Sequence, residues 1–146
     1  MLSKKAKYAI KALVKLAKEY QKGPILIGDI SKEERIPKKF LEAILLELRN
    51  AGILNSRKGK GGGYYLLKNP KEVSLSSVIR LFDGPLALQP CVSLNYYEKC
   101  EECVDEAYCG IRSVVKDVHL NVLKVLDTNT LSDIIKREEA LKNKKK

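Results

Sequence analysis

The chain has 146 residues, 45% of them hydrophobic, with 28 Lys and Arg against 18 Asp and Glu for a formal net charge of +10. That length suits one compact domain plus an extension. No apolar run approaches a membrane span, and lysines interrupt the opening MLSKKAKYAIKALVKLAKEY where a secretory signal would be continuously apolar. The expectation is a cytoplasmic protein with no membrane association, whose positive field draws polyanions. The charge is uneven: residues 1–70 carry a net +10, residues 71–135 a net −4 and residues 136–146 a net +4.

A first helix is expected from Ser3 to Tyr20, with Ala9, Ala12, Leu13, Leu16, Ala17 and Tyr20 as its apolar stripe. Its opening turn presents Ser3, Lys4, Lys5 and Lys7, with Tyr8 just beyond. Cations there oppose the helix dipole, a cost that a nearby phosphate would offset; simple solvation of the same lysines is the competing reading. Gly23-Pro24 breaks the chain, Ile25 to Ile27 reads as a short strand, and Gly28 to Arg35 as a second helix burying Ile30.

Ile36-Pro37 turns into a third helix, with Pro37 suited to its first position. Phe40, Leu41, Ile44, Leu45 and Leu48 form its apolar face, leaving Lys38, Lys39, Glu42 and Arg49 off that face. Gly52 is the stop. A hairpin follows: Ile53 to Arg57, the turn from Lys58 to Gly63, and Tyr64 to Leu67. Four glycines strip side chains from that turn, where close approach to another surface needs it. Two short helices joined by a tight turn, the second basic, and then a basic hairpin follow the order of a winged helix-turn-helix. The second of those helices enters the major groove and the wing lies along phosphates or in the minor groove.

The candidate DNA contacts are therefore Ser3, Lys4, Lys5, Tyr8, Lys38, Lys39, Phe40, Glu42, Arg49, Arg57, Lys58, Lys60, Gly61, Gly62, Tyr64 and Tyr65. The lysines of the first helix, Lys38, Lys39 and the wing suit phosphates. Lys39, Glu42 and Arg49 suit base edges, and Tyr64 or Tyr65 a sugar face.

Ser74 is a good N-cap for a helix through Phe82, with Leu75, Val78, Ile79 and Phe82 inward and Asp83-Gly84-Pro85 as its end. Residues 86–109 lack helical or strand periodicity and hold all four cysteines, Cys91, Cys100, Cys103 and Cys109. In a reducing compartment such clustering points to a metal or redox site more than to disulfides. Tetrahedral zinc wants two close-spaced thiol pairs, and only Cys100 and Cys103 make one; thiols without metal are a further reading. Tyr96 and Tyr97 are expected to cover this loop. Ile111 to Leu126 is a helix whose Ile111, Val114, Val115, Val118, Val122, Val125 and Leu126 keep a near-heptad seam. A symmetry-related copy is the expected partner of that seam, with intrachain packing as the alternative and His119 as a packing or interface residue. Thr130 with Asp133 resembles a capping pair for a last helix through Ile134 and Ile135. The basic tail beyond has no apolar period and reads as mobile.

The chain resembles the Rrf-two family of winged-helix transcriptional regulators, the IscR, NsrR and CymR group. SKKAKYAIKAL, IPKKFLEAILLELRNAGILNSRKGKGGGYYL, SLSSVIRLFDGPLA, the cysteine segment and TLSDII carry the resemblance over nearly the whole length. It implies a homodimeric repressor binding double-stranded DNA at a dyad-symmetric operator, with the long helix at the dimer interface. It also implies that Glu42 influences which operators are accepted. By the same resemblance the cysteines hold an iron–sulfur cluster (2Fe-2S or 4Fe-4S). Cys91 matches the first ligand after the Gly-Pro-Leu segment, and Cys103 and Cys109 keep the family's five-residue interval. Arg112 replaces the histidine ligand of the cluster-assembly regulators and Lys7 the aspartate of the nitric-oxide sensors, while Cys100 is additional. Four thiolates complete a cluster without a foreign ligand. Cluster-free relatives governed by thiol oxidation or by a partner protein remain an alternative.

The expected architecture is mainly α: a winged helix-turn-helix domain with a small β-hairpin wing (1–85), a cysteine-bearing sensor loop (86–109), a dimerisation helix and short closing helix (110–136), and a basic mobile tail (137–146). An enzyme is not expected. The Cys100/Cys103 pair has no βαβ unit beside it, and there is no Ser-His-Asp order, phosphate-cradling loop or buried carboxylate pair.

Overall fold

The computed structural model describes residues 2–146, with six α-helices and one hairpin: α1 Lys4–Lys18, α2 Ile27–Glu34, α3 Lys38–Asn50, β1 Leu54–Arg57, β2 Gly63–Leu66, α4 Leu75–Asp83, α5 Gly110–Thr128 and α6 Leu131–Lys144. The fold is mainly α with a small antiparallel sheet, as expected. No helix among the described residues is long and apolar enough to cross a membrane.

Each helix starts and stops for a local chemical reason. Ser3 caps α1, its hydroxyl accepting the Ala6 N–H at 3.0 Å. Pro37 sits one place earlier than expected, at the N-cap of α3. The end of α3 is a full Schellman closure: Gly52 at φ 74° donates to the Arg49 carbonyl and Ile53 to the Leu48 carbonyl at 3.0 Å. Ser74 caps α4 through the Ser77 N–H, and Thr130 with Asp133 forms a complete capping box on α6.

The core is a sandwich of α1, α3 and the hairpin. Ala9, Ala12, Leu13, Leu16, Leu41, Ile44, Leu45, Leu48, Leu54 and Leu66 are buried together with Ile30 and Ile36. Burying a leucine or isoleucine side chain stabilises by about 2 kcal/mol, so this cluster dominates the favourable term. The turn between α2 and α3 is held by Arg35 in the left-handed region, the Ile36 N–H to the Ser31 carbonyl at 3.0 Å, and the Ser31 hydroxyl to the Ile36 carbonyl at 2.6 Å.

Three expectations need correction. The strand at Ile25 to Ile27 is a single bridge: Ile25 pairs with Tyr64 through two 2.8 Å backbone bonds, and Ile27 already begins α2. Phe40 does not join the core; it is 41% exposed and meets Tyr8 edge-on at 5.6 Å. Residues 137–144 continue α6 instead of forming a tail, because Lys, Glu, Ala and Leu there are strong helix formers and Glu138 pairs with Lys18 on α1. The first turns of α6 close on the core: Leu131 is fully buried in it, with Ile134 and Ile135 packed on it.

Candidate nucleic-acid interface and cysteine segment

The charged surface is assembled from three places. Lys4 at the start of α1, Lys38 and Lys39 at the start of α3, and Lys58 and Lys60 on the wing are exposed and have no ion-pair partner among the described residues. The Tyr8–Phe40 contact sets the first turns of α1 beside the first turn of α3. Glu42 is exposed one turn further along α3. Arg49 reaches Ser56 on β1 at 3.3 Å, and Arg57 lies over the Tyr65 ring at 5.5 Å. Both arginines are thereby oriented from the hairpin, as a fixed guanidinium fork requires.

The wing tip is a tight turn built by glycine. Gly62 donates to the Gly59 carbonyl at 3.0 Å with Gly61 at φ 75° between them, the positive φ that a type II turn demands at its third residue. Gly62 is also sterically obligatory, since a Cβ there would lie 2.3 Å from the Arg57 carbonyl oxygen.

Three candidates behave otherwise than an exposed DNA contact. The backbone N–H of Ser3 donates to Asp83 Oδ2 at 3.0 Å and its hydroxyl donates to Oδ1. Lys5 pairs with Glu47 on α3 and stacks its ammonium 5.5 Å from the Phe82 ring centroid. Tyr64 leans on the core and fixes the wing to Ile25. These three are built into the support beneath the free cations. Asp83, Phe82 and Glu47 were missed by sequence reasoning, because each acts across more than forty residues of chain.

The Asp83 carboxyl is held below the usual carboxylate range by the Ser3 hydroxyl first and the Ser3 N–H second. Asp133 is lowered in the same way by Thr130. A carboxylate depressed in the folded state contributes stability above its unfolded pKa and loses it as pH falls through the folded value. Melting temperature is therefore expected to drop as pH is taken from about 5 to below about 4. Asp83→Asn and Asp133→Asn should each flatten that dependence in a calorimetric pH series.

The cysteine segment is mostly irregular, with short 3-10 turns at Pro90–Val92 and Glu106–Tyr108. Cys91 is buried, and its carbonyl accepts the Arg112 Nε–H at 3.3 Å. The neighbouring Cys91 thiol is the main cause that pushes the Cys100 thiol up, followed by burial and then by the charges of Cys91, Cys103 and Glu102. Cys103 donates its N–H to the Cys100 carbonyl at 3.1 Å, closing a turn around that pair. Cys109 stands apart as the N-cap of α5, its Sγ accepting the Arg112 N–H at 3.4 Å. Among the described residues no three ligating side chains converge into a metal site. Tyr97 donates to Glu106 across the loop, while Tyr96 stays 66% exposed.

Beyond Cys109, α5 packs on its own chain through one narrow face. His119 and Leu123 are buried, and both ring nitrogens of His119 lack a hydrogen-bond partner among the described residues. Ile111, Val114, Val118 and Val125 are 69%, 64%, 42% and 58% exposed. Within the single chain this apolar row faces water.

Comparison with known proteins agrees with this geometry. A family profile described as "Rrf2: Iron-dependent Transcriptional regulator" matches residues 2–137. An rrf2-like HTH-type transcriptional regulator of Rhodobacter capsulatus is 44% identical over 138 residues, covering 92% of each chain. The solved structure of CymR, titled the global cysteine regulator of B. subtilis, superposes with a TM-score of 0.77 at 28% identity, covering 92% of this chain and 95% of that one. T. potens IscR superposes with a TM-score of 0.76 at 26% identity, covering 97% and 90%.

Proposed function

The chain belongs to the Rrf2 family of transcriptional regulators, DNA-binding proteins and not enzymes, and from that premise we propose that it acts in the cytoplasm as a homodimeric repressor on a dyad-symmetric double-stranded operator. The observation that carries this reading is the α5 seam, apolar and water-facing within one protomer, beginning directly at the Cys109 cap. A two-fold copy covering it gives an isologous interface and two sets of α3 and wing. Lys39, Glu42 and Arg49 then read base edges, and Lys4, Lys38, Lys58 and Lys60 hold phosphates.

We read the four cysteines as ligands of an iron–sulfur cluster that makes DNA affinity responsive to redox state, nitric oxide or iron supply. What supports this reading is the donor chemistry, four thiols on one segment with Cys103 tied to Cys100 by a backbone turn, and not their arrangement, since no three of them converge among the described residues. When bound, such a cluster supplies an oxidant- and nitric-oxide-sensitive group. The chain's own contribution is mechanical. Arg112 holds the Cys91 carbonyl, Cys109 caps α5, and ordering of the loop is thereby linked to the dimer helix. Switching an operator from nearly full to nearly empty takes about 5.5 kcal/mol, and ordering some twenty loop residues at about 1 kcal/mol each is sufficient. The alternative, a cluster-free regulator worked by thiol oxidation or a partner protein, is favoured by the lack of three convergent ligands among the described residues.

Anaerobic purification with iron and sulfide assays, then DNA binding before and after nitric oxide, tests the reading. The expected result is bound iron and sulfide that fall in Cys91→Ser and Cys103→Ser, with a DNA affinity that changes on nitric oxide exposure. Iron-free protein whose DNA affinity is unaltered in Cys91, Cys103 and Cys109 variants rejects the cluster and leaves the DNA-binding reading standing.

A further inference from the structure

We propose that Asp83 is a positioning residue for DNA binding, clamping the N-terminus of α1 to the start of the cysteine segment so that a change in that segment reaches the DNA-facing helices. The inference rests on the DNA-binding reading above. Asp83 is the last residue of α4, and after Gly84, at φ 77°, and Pro85 the chain enters the cysteine segment. Its two carboxylate oxygens take the backbone N–H and the hydroxyl of Ser3, eighty residues away. Ser3 in turn caps α1 through the Ala6 N–H at 3.0 Å. An anion there complements the helix dipole and offsets Lys4, Lys5 and Lys7.

The clamp has a second strut one residue earlier. The Phe82 ring lies under the Lys5 ammonium at 5.5 Å, and Lys5 pairs with Glu47 on α3. The end of α4, the first turn of α1 and the last turn of α3 are therefore one connected unit. At its other side Arg80, one turn back on α4, lines a cavity of about 20 Å³ together with Ser93 and Asn95 of the cysteine segment and His119 of α5. A displacement of residues 86–95 thus has a short, packed route to Ser3. With both Ser3 donors on Asp83, Ser3 acts on DNA by fixing where α1 begins, and Lys4 and Tyr8 follow it.

The test measures affinity for a duplex selected by the wild-type protein, with cysteines free and after alkylation by N-ethylmaleimide, for the wild type, Asp83→Ala, Asp83→Asn, Ser3→Ala, Ser3→Thr and the Ser3→Ala/Asp83→Ala double variant. Wild type is expected to differ about tenfold or more between the two thiol states, the scale of coupling through packed networks. Asp83→Ala should keep its helix content and dimer mass, bind about tenfold more weakly, and lose the difference between thiol states. Ser3→Ala should match it, the double variant should be no worse than either, and Ser3→Thr should behave as wild type. Asp83→Asn, which keeps an acceptor while losing the charge, should fall between. If Asp83 acted only by charge, both Asp83 variants would bind DNA more tightly, and that result overturns the proposal. So does an Asp83→Ala protein with the full wild-type response, or a wild type that binds DNA and ignores alkylation. A wild type that selects no duplex at all refutes the DNA-binding reading instead.

Discussion

Replacing Gly63 with alanine is expected to detach the wing and weaken DNA binding while most of the molecule stays folded. A Cβ at Gly63 would lie 2.3 Å from the Ile25 carbonyl oxygen and 2.5 Å from its carbon, and φ is +138°. No side-chain rotation relieves a clash with backbone, so Ile25 and Tyr64 must part. Their bridge consists of two 2.8 Å hydrogen bonds, worth about 1 kcal/mol each, and the strained φ adds about 1–3 kcal/mol. The loss is a substantial part of a typical total stability of about 5–15 kcal/mol. Melting temperature should fall clearly, and the salt dependence of DNA binding should shrink by about one unit of slope for each wing cation that leaves a phosphate. Gly62→Ala, 2.3 Å from the Arg57 carbonyl oxygen, should behave alike. Gly61→Asn is the control for stability alone: it has φ 75° but open space around it, asparagine tolerates that backbone, and its melting temperature should stay near wild type. An unchanged Gly63→Ala protein would mean that the wing is not anchored through Ile25.

The second large effect is expected on α5. Val114→Glu combined with Val118→Glu places two charges in the middle of the water-facing apolar row, at positions 64% and 42% exposed in the protomer. Helix content should be unchanged, since neither side chain belongs to the buried core. Sedimentation should report the 16.4 kDa chain in place of a particle of twice that mass. Because linked binding modules gain about 10²–10⁴ in affinity over single ones, operator binding should fall by about that factor. A wild type that sediments as the single chain would remove the basis of the dimer proposal.

Much of the fold was readable from local chemistry, since caps and stripes are properties of adjacent residues. The apolar row of α3, its glycine stop, the Ser74 cap and the Thr130/Asp133 box all lie within a few residues of their consequences. What stayed hidden depends on distance along the chain. Nothing near Ser3 announces Asp83, and nothing near Lys5 announces Glu47 or Phe82. Phe40 obeyed the helical period of the core but lies at its edge, where Tyr8 meets it. The length of α6 was missed for another reason: periodicity marks a buried face, and residues 137–144 are helical while largely exposed. For the candidate site, the free lysines were legible as charge. The division between cations that face solvent and those built into the support required the packing of α1, α3 and α4.

Selection of duplexes from a random pool by the reduced protein tests the central claim most directly. The expected winners carry two inverted half-sites whose centres lie about one helical turn, or a multiple of it, apart. Insertion of about half a turn between them should abolish tight binding, because the two α3 helices would then address opposite faces of the duplex. A pool that shows no enrichment, or winners with a lone half-site bound equally well at any spacing, would contradict a two-fold reader built on α3 and the wing.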